Sequence, residues 1–227
     1  MPPDRPRHDS AGPFPGCSAV EPPPPLWYSW PVPTPERVRK VNRVLSHRQP
    51  DLRVVLDGVT IAHNASAVIR TCDAAGVLYL HLISPNPELL HFNEAISTRA
   101  DKWLEIDVHG SPAECLGPLK KAGFTIVGTH LQAAAIPYTG VDYTRPVALV
   151  FGSESEGISE AALAFADRIV RIPMFGMVQS LNLSVSVAVI LYGALRQRQA
   201  RGFLENPRLP AEELERLRRQ WLKLTEE

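Results

Sequence analysis

No stretch of this 227-residue chain approaches the roughly 20 consecutive apolar residues that a membrane-spanning helix requires. Where a secretory leader would need an apolar run the N-terminal segment has prolines, so a cytoplasmic location is expected. Cysteine is scarce. Cys17, Cys72 and Cys115 are odd in number, far apart and without a CxxC pair, a spacing that points to neither a disulfide framework nor a zinc site, and no metal is expected. Net charge is lacking too: lysine and arginine total 24, aspartate and glutamate also 24. The chain as a whole is therefore not the basic body of a nucleic-acid binder, and any such surface has to be local. Two segments offer one: Arg37, Arg39, Lys40 and Arg43 with His47 and Arg48, and Arg196, Arg198 and Arg201. Charge alone leaves open whether each is a binding face or the solvated side of a helix.

Proline, by contrast, is abundant and unevenly placed. Twelve of the 22 prolines fall within residues 1–35, with a run from Pro22 to Pro25, and the lost amide donors and fixed φ preclude a helix or central strand there. Residues 1–35 are expected to be a disordered or polyproline-like extension. From Glu36 onward short apolar runs alternate with helical patterns, which predicts an α/β fold with a mostly parallel sheet flanked by helices. Strands are expected over 52–56, 77–83, 103–108, 124–129, 147–151 and 169–172. Helices are expected over 66–75, 112–122, 159–166, 182–198 and 211–223, with Gly117 and Pro118 weakening the second. The main domain then spans 36–200 with a helix at its start, and 201–227 form a helical extension.

Three segments stand at places where an α/β sheet does chemistry. In Asn64-Ala-Ser-Ala-Val-Ile-Arg70, Asn64 sits where a helix cap belongs, and Val68, Cys72 and Ala75 form an apolar stripe. Arg70 lies about 200° around the helix from Val68 and so faces away from that stripe, toward either solvent or a substrate. In Val150-Phe-Gly152-Ser-Glu154-Ser-Glu-Gly157-Ile-Ser159, a glycine turn follows an apolar strand, at the carboxyl edge where open α/β sheets bind ligands. Ile158 stands where a phosphate loop needs lysine, and the two glutamates would repel phosphate, so an ATPase-type loop is disfavoured. No GxGxxG follows the first strand, which argues against a dinucleotide site. In the third segment a loop from Ile172 runs into Ser180, Leu181 and Asn182 as a long helix begins. Ser180 and Asn182 either cap that helix or, with its backbone donors, meet a ligand.

The order and wording of these segments resemble the three motifs of the SPOUT methyltransferases, specifically the TrmH branch. The likeness runs from about Glu36 to Leu209 and includes Arg48-Gln49-Pro50-Asp51-Leu52, Asp142-Tyr143-Thr144-Arg145-Pro146, Gly176-Met177-Val178-Gln179-Ser180-Leu181-Asn182 and Arg196-Gln197-Arg198. The resemblance implies a sheet whose C-terminal part is threaded into a trefoil knot, and a homodimer. It implies S-adenosylmethionine as cofactor, held near Thr129, Gly152, Ile172 and Leu181, and tRNA as partner, with the ribose of guanosine 18 in the D-loop as the methylated group. Asn64, Arg70, Glu154, Ser180 and Asn182 match the catalytic set. His63, Arg196 and Arg198 match positions linked to tRNA contact, and Arg39 and Lys40 extend that basic surface. Ser155 and Glu156 replace a more basic pair of close relatives, and Asn206 an arginine of some.

A ribose hydroxyl is a weak nucleophile at neutral pH, so methyl transfer to it gains from a proton acceptor and in-line positioning. Arg70 fills one of two roles: proton acceptor, or clamp on a phosphate that orients or deprotonates the hydroxyl. The first is costly, because guanidinium holds its proton tightly. Methylation of ribosomal RNA is the nearest alternative activity, though such enzymes commonly carry a folded RNA-binding domain ahead of the catalytic one. A non-catalytic RNA-binding homologue is expected to have lost Arg70 or Asn64, and both are present.

Overall fold

A computed structural model describes residues 32–58, 62–85, 100–132, 134–153 and 156–224, with backbone alone over 62–65. Residues 33–227 form one compact unit. The described elements run α1 (Pro35–Ser46), β1 (Leu52–Asp57), α2 (Ala62–Ala74), β2 (Tyr79–Ile83), β3 (Glu105–His109), α3 (Pro112–Lys121), β4 (Thr125–Thr129), β5 (Ile136–Pro137), β6 (Val147–Phe151), α4 (Glu160–Leu163), β7 (Arg168–Arg171), α5 (Leu183–Ala200) and α6 (Ala211–Leu222). The strands form one sheet in the order β3-β2-β1-β6-β4-β7-β5. Every adjacent pair is parallel.

A parallel sheet is covered on both faces, and its central strands are apolar almost throughout. In β1 and β6 the alternation sorts side chains by face. Leu52, Val54, Leu56, Val147, Leu149 and Phe151 share a core with Val68 and Cys72 of α2 and with Val187, Leu191 and Ala194 of α5. Val55, Ala148 and Val150 point the other way and pack with Cys115, Leu116 and Leu119 of α3 and Ala162 of α4. The expected stripe of α2 is thus buried, and Arg70 is exposed on the far side of the helix.

Helix caps are visible in the structure. Thr34 caps α1 by accepting from the Arg37 amide at 3.2 Å, with Pro35 at the first helical position. Ser159 caps α4 and Asn182 caps α5. Asn64 does not cap α2. The helix already begins at Ala62, which puts Asn64 inside its first turn; its side chain lies outside the described residues. The strand β5 is absent from the sequence reading because two residues, one of them proline, carry no alternation to detect; proline is tolerated at this sheet edge.

The helices α1 and α6 pack against each other. Val41, Leu45, Leu217, Trp221 and Leu222 form a third apolar cluster, and Arg37 Nη2 donates to the Trp221 carbonyl at 2.9 Å.

Two arginines depart from the expected basic surfaces. Arg198 has a relative exposure of 0%, so its assignment to tRNA contact does not hold. It donates from Nε to the Tyr143 carbonyl, from Nη1 to Gln49 and Asp51, and from Nη2 to the Asp51 and Arg145 carbonyls. All five guanidinium hydrogens are thereby used within the fold. Arg48 is equally buried and donates to the carboxylate and carbonyl of Asp73 and to the Val77 and Trp103 carbonyls. Arg39, Lys40 and Arg196 remain exposed. The side chain of His63 lies outside the described residues.

Candidate active site

Three strand ends and one helix start meet around a cavity of about 530 Å³. Thr129 and His130 come from the end of β4, Phe151, Gly152 and Ser153 from the end of β6, and Val170, Arg171 and Ile172 from the end of β7. The opposite wall is Gln179 to Leu183 with Ser186 and Ile190, the loop into α5 and its first turns. All of this is the carboxyl edge of the sheet, where chain leaves parallel strands and a crevice forms between diverging loops.

The loops are held by short polar contacts. Thr129 Oγ1 donates to the Val150 carbonyl at 3.1 Å, joining the ends of β4 and β6. Ser153 and Gly157 exchange backbone hydrogen bonds at 3.1 and 2.9 Å, and Ser153 Oγ accepts from the Glu156 amide. Asp57 Oδ2, at the end of β1, accepts from the Ser159 amide at 2.7 Å and anchors the far side of this turn. On the opposite wall Asn182 Oδ1 accepts from both the amide and the hydroxyl of Ser184. Asn182 therefore caps α5 and lines the cavity at once.

The closed turn explains why position 152 is glycine. A Cβ there would lie 1.8 Å from the Gly157 carbonyl carbon and 2.1 Å from the Ile158 nitrogen, so backbone itself would have to move. Gly152→Ala is expected to cost about 3 kcal/mol, the upper end of overpacking penalties. Thermal melts should show this as a drop of roughly 6–12 °C for a domain of this size. A melting temperature equal to the parent's would mean the turn is not as closed as described.

Thr129, Gly152, Ile172, Leu181, Ser180 and Asn182 thus share one cavity. Glu154 lies outside the described residues. Arg70 does not line the cavity, but its helix packs against α5. Because α2 starts just beyond the carboxyl end of β1, its first turns lie at the same edge of the sheet, and helical side chains lean toward the helix start. Ser153, Glu156, Gly157, Met174 and Gln179, within the segments singled out in the sequence, also line the cavity, as do His130, Leu131 and Arg171, which lie outside them. Their signal was available: each follows or ends a strand whose carboxyl end reaches this edge, or belongs to a loop between such an end and the next helix. The walls are mixed in character. Phe151, Val170, Ile172, Leu183 and Ile190 are apolar, whereas Glu156, Arg171, Gln179 and Ser186 offer polar groups. Such a cavity suits a ligand with a flat apolar part and charged ends, and its volume lies within the usual range of about 300–1,000 Å³.

A family model described as the SpoU rRNA Methylase family matches residues 51–192. The chain is 46% identical over 190 residues to the tRNA (guanosine(18)-2′-O)-methyltransferase of Thermus thermophilus, covering 84% of this chain and 97% of that relative. Among solved structures it is similar to the A. aeolicus TrmH/SpoU tRNA modifying enzyme, with a TM-score of 0.78 and 39% identity, covering 84% of this chain and 98% of that one. The SpoU methyltransferase AviRb from Streptomyces viridochromogenes, solved in complex with the cofactor AdoMet, matches with a TM-score of 0.59 and 29% identity, covering 67% of this chain and 60% of that one.

Proposed function

The chain belongs to the SpoU rRNA methylase family, and on that premise we propose that it transfers a methyl group from S-adenosylmethionine to the ribose 2′-hydroxyl of guanosine 18 in the D-loop of tRNA. The observation that carries this reading is the single cavity shared by Thr129, Gly152, Ile172, Leu181, Ser180 and Asn182 at the carboxyl edge of the sheet. The residues fit the cofactor. The apolar wall of Phe151, Val170, Ile172 and Leu183 matches an adenine ring, and the Glu156 carboxylate on the rim favours the positive charges of the sulfonium and amino groups. When bound, S-adenosylmethionine supplies a methyl group already activated on sulfur, a reaction that has no need of a Lewis acid.

The chain's own residues then have two tasks: to hold the 2′-oxygen in line and to relieve it of its proton. Arg70 is suited to gripping a phosphate beside the reacting ribose, because its planar fork donates two parallel hydrogen bonds to such an anion. Asn64, on the same helix, is assigned to fixing the Arg70 rotamer. Ser180 and Asn182, at the start of α5, are assigned to shaping the wall where cofactor and ribose meet. Incubating the purified chain with labelled S-adenosylmethionine and total tRNA, then mapping the labelled nucleotide, tests the whole reading. Label on the ribose of guanosine 18 is expected. Label on a different nucleotide, or no transfer to tRNA, overturns it.

The finer family features are part of the same proposal. A C-terminal trefoil knot is supported by the order β6-β4-β7 and by loops from β6 and β7 that both close on one cavity. A homodimer is supported by exposed apolar groups beside that cavity: Phe175, Met177 and Val178 in the loop before α5, and Val185 and Tyr192, seven residues apart and so on one stripe of α5. Light scattering is expected to give twice the chain mass of 25.1 kDa, and Val185→Glu with Tyr192→Glu should shift the protein to monomer. A parent that is monomeric and active at assay concentration would rule the dimer out. The protein is assigned to the cytoplasm; among the described residues no helix is long and apolar enough to cross a membrane. The extension expected over residues 1–35 is assigned to residues 1–32, because Thr34 and Pro35 already belong to the start of α1. Deleting residues 1–33 is expected to leave melting temperature and methyl transfer nearly intact, and a large loss of either would show that the extension packs on the domain.

A further inference from the structure

On the α3 side of the sheet, two strands away from β6, three metal-ligating side chains converge. The donor atoms of His81, His109 and Cys115 all lie within 4.8 Å of one another. Register explains the meeting. His81 on β2 is the cross-strand partner of Asp107 on β3, and His109 follows two residues later on the same face. Cys115 descends on them from α3, which packs over both strands. His81 Nδ1 is 3.1 Å from His109 Nε2 and 3.5 Å from Asp107 Oδ2. Neighbouring ligands of a tetrahedral ion with bonds of about 2.0–2.3 Å are separated by roughly 3.3–3.8 Å, so donors that all lie within 4.8 Å of one another need only small side-chain shifts to close on one ion. His81 and Cys115 are 4% and 2% exposed, which removes competing water.

We infer that His81, His109 and Cys115 bind one zinc-like divalent ion that ties α3 to the strands β2 and β3, with the fourth position open to solvent beside Asp107. Two imidazoles and a thiolate are a donor set that favours a tetrahedral d¹⁰ ion over calcium or magnesium. A thiol loses its proton when it becomes a ligand, so binding through Cys115 releases a proton and strengthens as pH rises. Two contacts are given up. The hydrogen bond between His81 Nδ1 and His109 Nε2 is replaced by bonds to the ion. Arg53 Nη1 lies 3.4 Å from His81 Nε2, and ligation through Nδ1 moves the ring proton to Nε2, so the guanidinium turns away, at a length where little is lost.

Cysteine spacing is blind to such a site, because its ligands come from three separate elements. The test uses the full chain, reduced and freed of metal with a chelator, then titrated with Co²⁺ and displaced with Zn²⁺. One equivalent of Co²⁺ is expected to give the intense visible bands of tetrahedral geometry and a thiolate charge-transfer band, with release of a proton. Zn²⁺ should displace it and raise the melting temperature. Cys115→Ser should abolish the charge-transfer band. His109→Ala, at a partly exposed position, should weaken binding by more than the roughly 10–100-fold that loss of an outer-sphere partner costs. Cys72→Ser and Cys17→Ser should change neither. Absence of a tetrahedral spectrum in the parent, or a spectrum that survives both Cys115→Ser and His109→Ala, overturns the proposal.

Discussion

Replacing Arg70 by alanine is expected to slow methyl transfer to tRNA by roughly 10²–10⁴-fold, the range typical of a lost proton-transfer or orienting group. The melting temperature should hardly move. Arg70 is exposed on the face of α2 opposite Val68 and Cys72, and surface substitutions of that kind usually change stability by less than about 0.5 kcal/mol. Binding of S-adenosylmethionine, measured by calorimetry, should stay near the parent's value, because Arg70 does not line the cavity. Loss of turnover with ground-state binding retained marks an interaction made in the transition state. Arg70→Lys separates the two chemical roles. Lysine keeps the charge and loses the fork, so a bidentate phosphate clamp fails while a purely electrostatic role survives. Near-normal turnover in the lysine variant would reject the clamp, and near-normal turnover in the alanine variant would remove Arg70 from the mechanism.

Arg198→Ala is expected to damage the fold before any effect on RNA can be read. The variant leaves Asp51 without its 2.7 Å partner and strips hydrogen bonds from the Tyr143, Asp51 and Arg145 carbonyls. Breaking a buried pair in this way costs about 3–5 kcal/mol, or roughly 6–20 °C in melting temperature. Arg208, 2.7 Å from the other oxygen of Asp51, limits the loss. Arg196→Ala, two residues earlier and exposed, should instead leave the melt unchanged and lower the salt dependence of tRNA binding by about one ion. A pair of variants with the opposite pattern would return Arg198 to the RNA surface.

The same network sets an acid limit. Burial by itself would raise the Asp51 carboxyl, but hydrogen bonds and charge from Arg198 and then Arg208 outweigh it and hold the pKa below the ordinary 3.8. A depressed folded-state pKa contributes stability that is present above the unfolded value and lost as pH falls through the folded one. Stability should therefore decline below about pH 4, and the Arg198→Ala variant should lose this part of the acid dependence. Melting temperature against pH for both proteins checks it.

Arg196 and Arg198 also show where reading the sequence stops. Strands were legible because a short continuous apolar run reports burial on both faces: 147–151 matches β6 to the residue, and 52–56 ends one short of Asp57. The Gly152 turn and the start of α5 were legible from their places at the carboxyl edge of the sheet, whereas Thr129, Ile172 and Leu181 were reached only through motif resemblance. Arg48 and Arg198 misled because a charged residue counts as surface in any hydropathy pattern. What buries them is a set of backbone carbonyls from chain segments far away, and carbonyls leave no trace in residue type. Arg171 and His130 carry part of their signal in ending or following a legible strand, but that β7 lies beside β4 and joins them in one cavity is a tertiary fact.

The clasp between α1 and α6 has a consequence in time. Its hydrogen bond from Arg37 to Trp221 joins residues 184 positions apart, and every strand of the sheet lies between them. Closing so distant a contact has to await the collapse of what separates it. On a ribosome α1 therefore emerges early, and the cover that Leu217, Trp221 and Leu222 give to its cluster with Leu78 and Trp103 is missing until α6 arrives. Refolding experiments should show the Trp103–Trp221 edge contact, 5.2 Å between ring centres, among the slowest fluorescence signals to recover. A nascent chain stalled before Ala211 presents the uncovered side of that cluster to chaperones or to other chains.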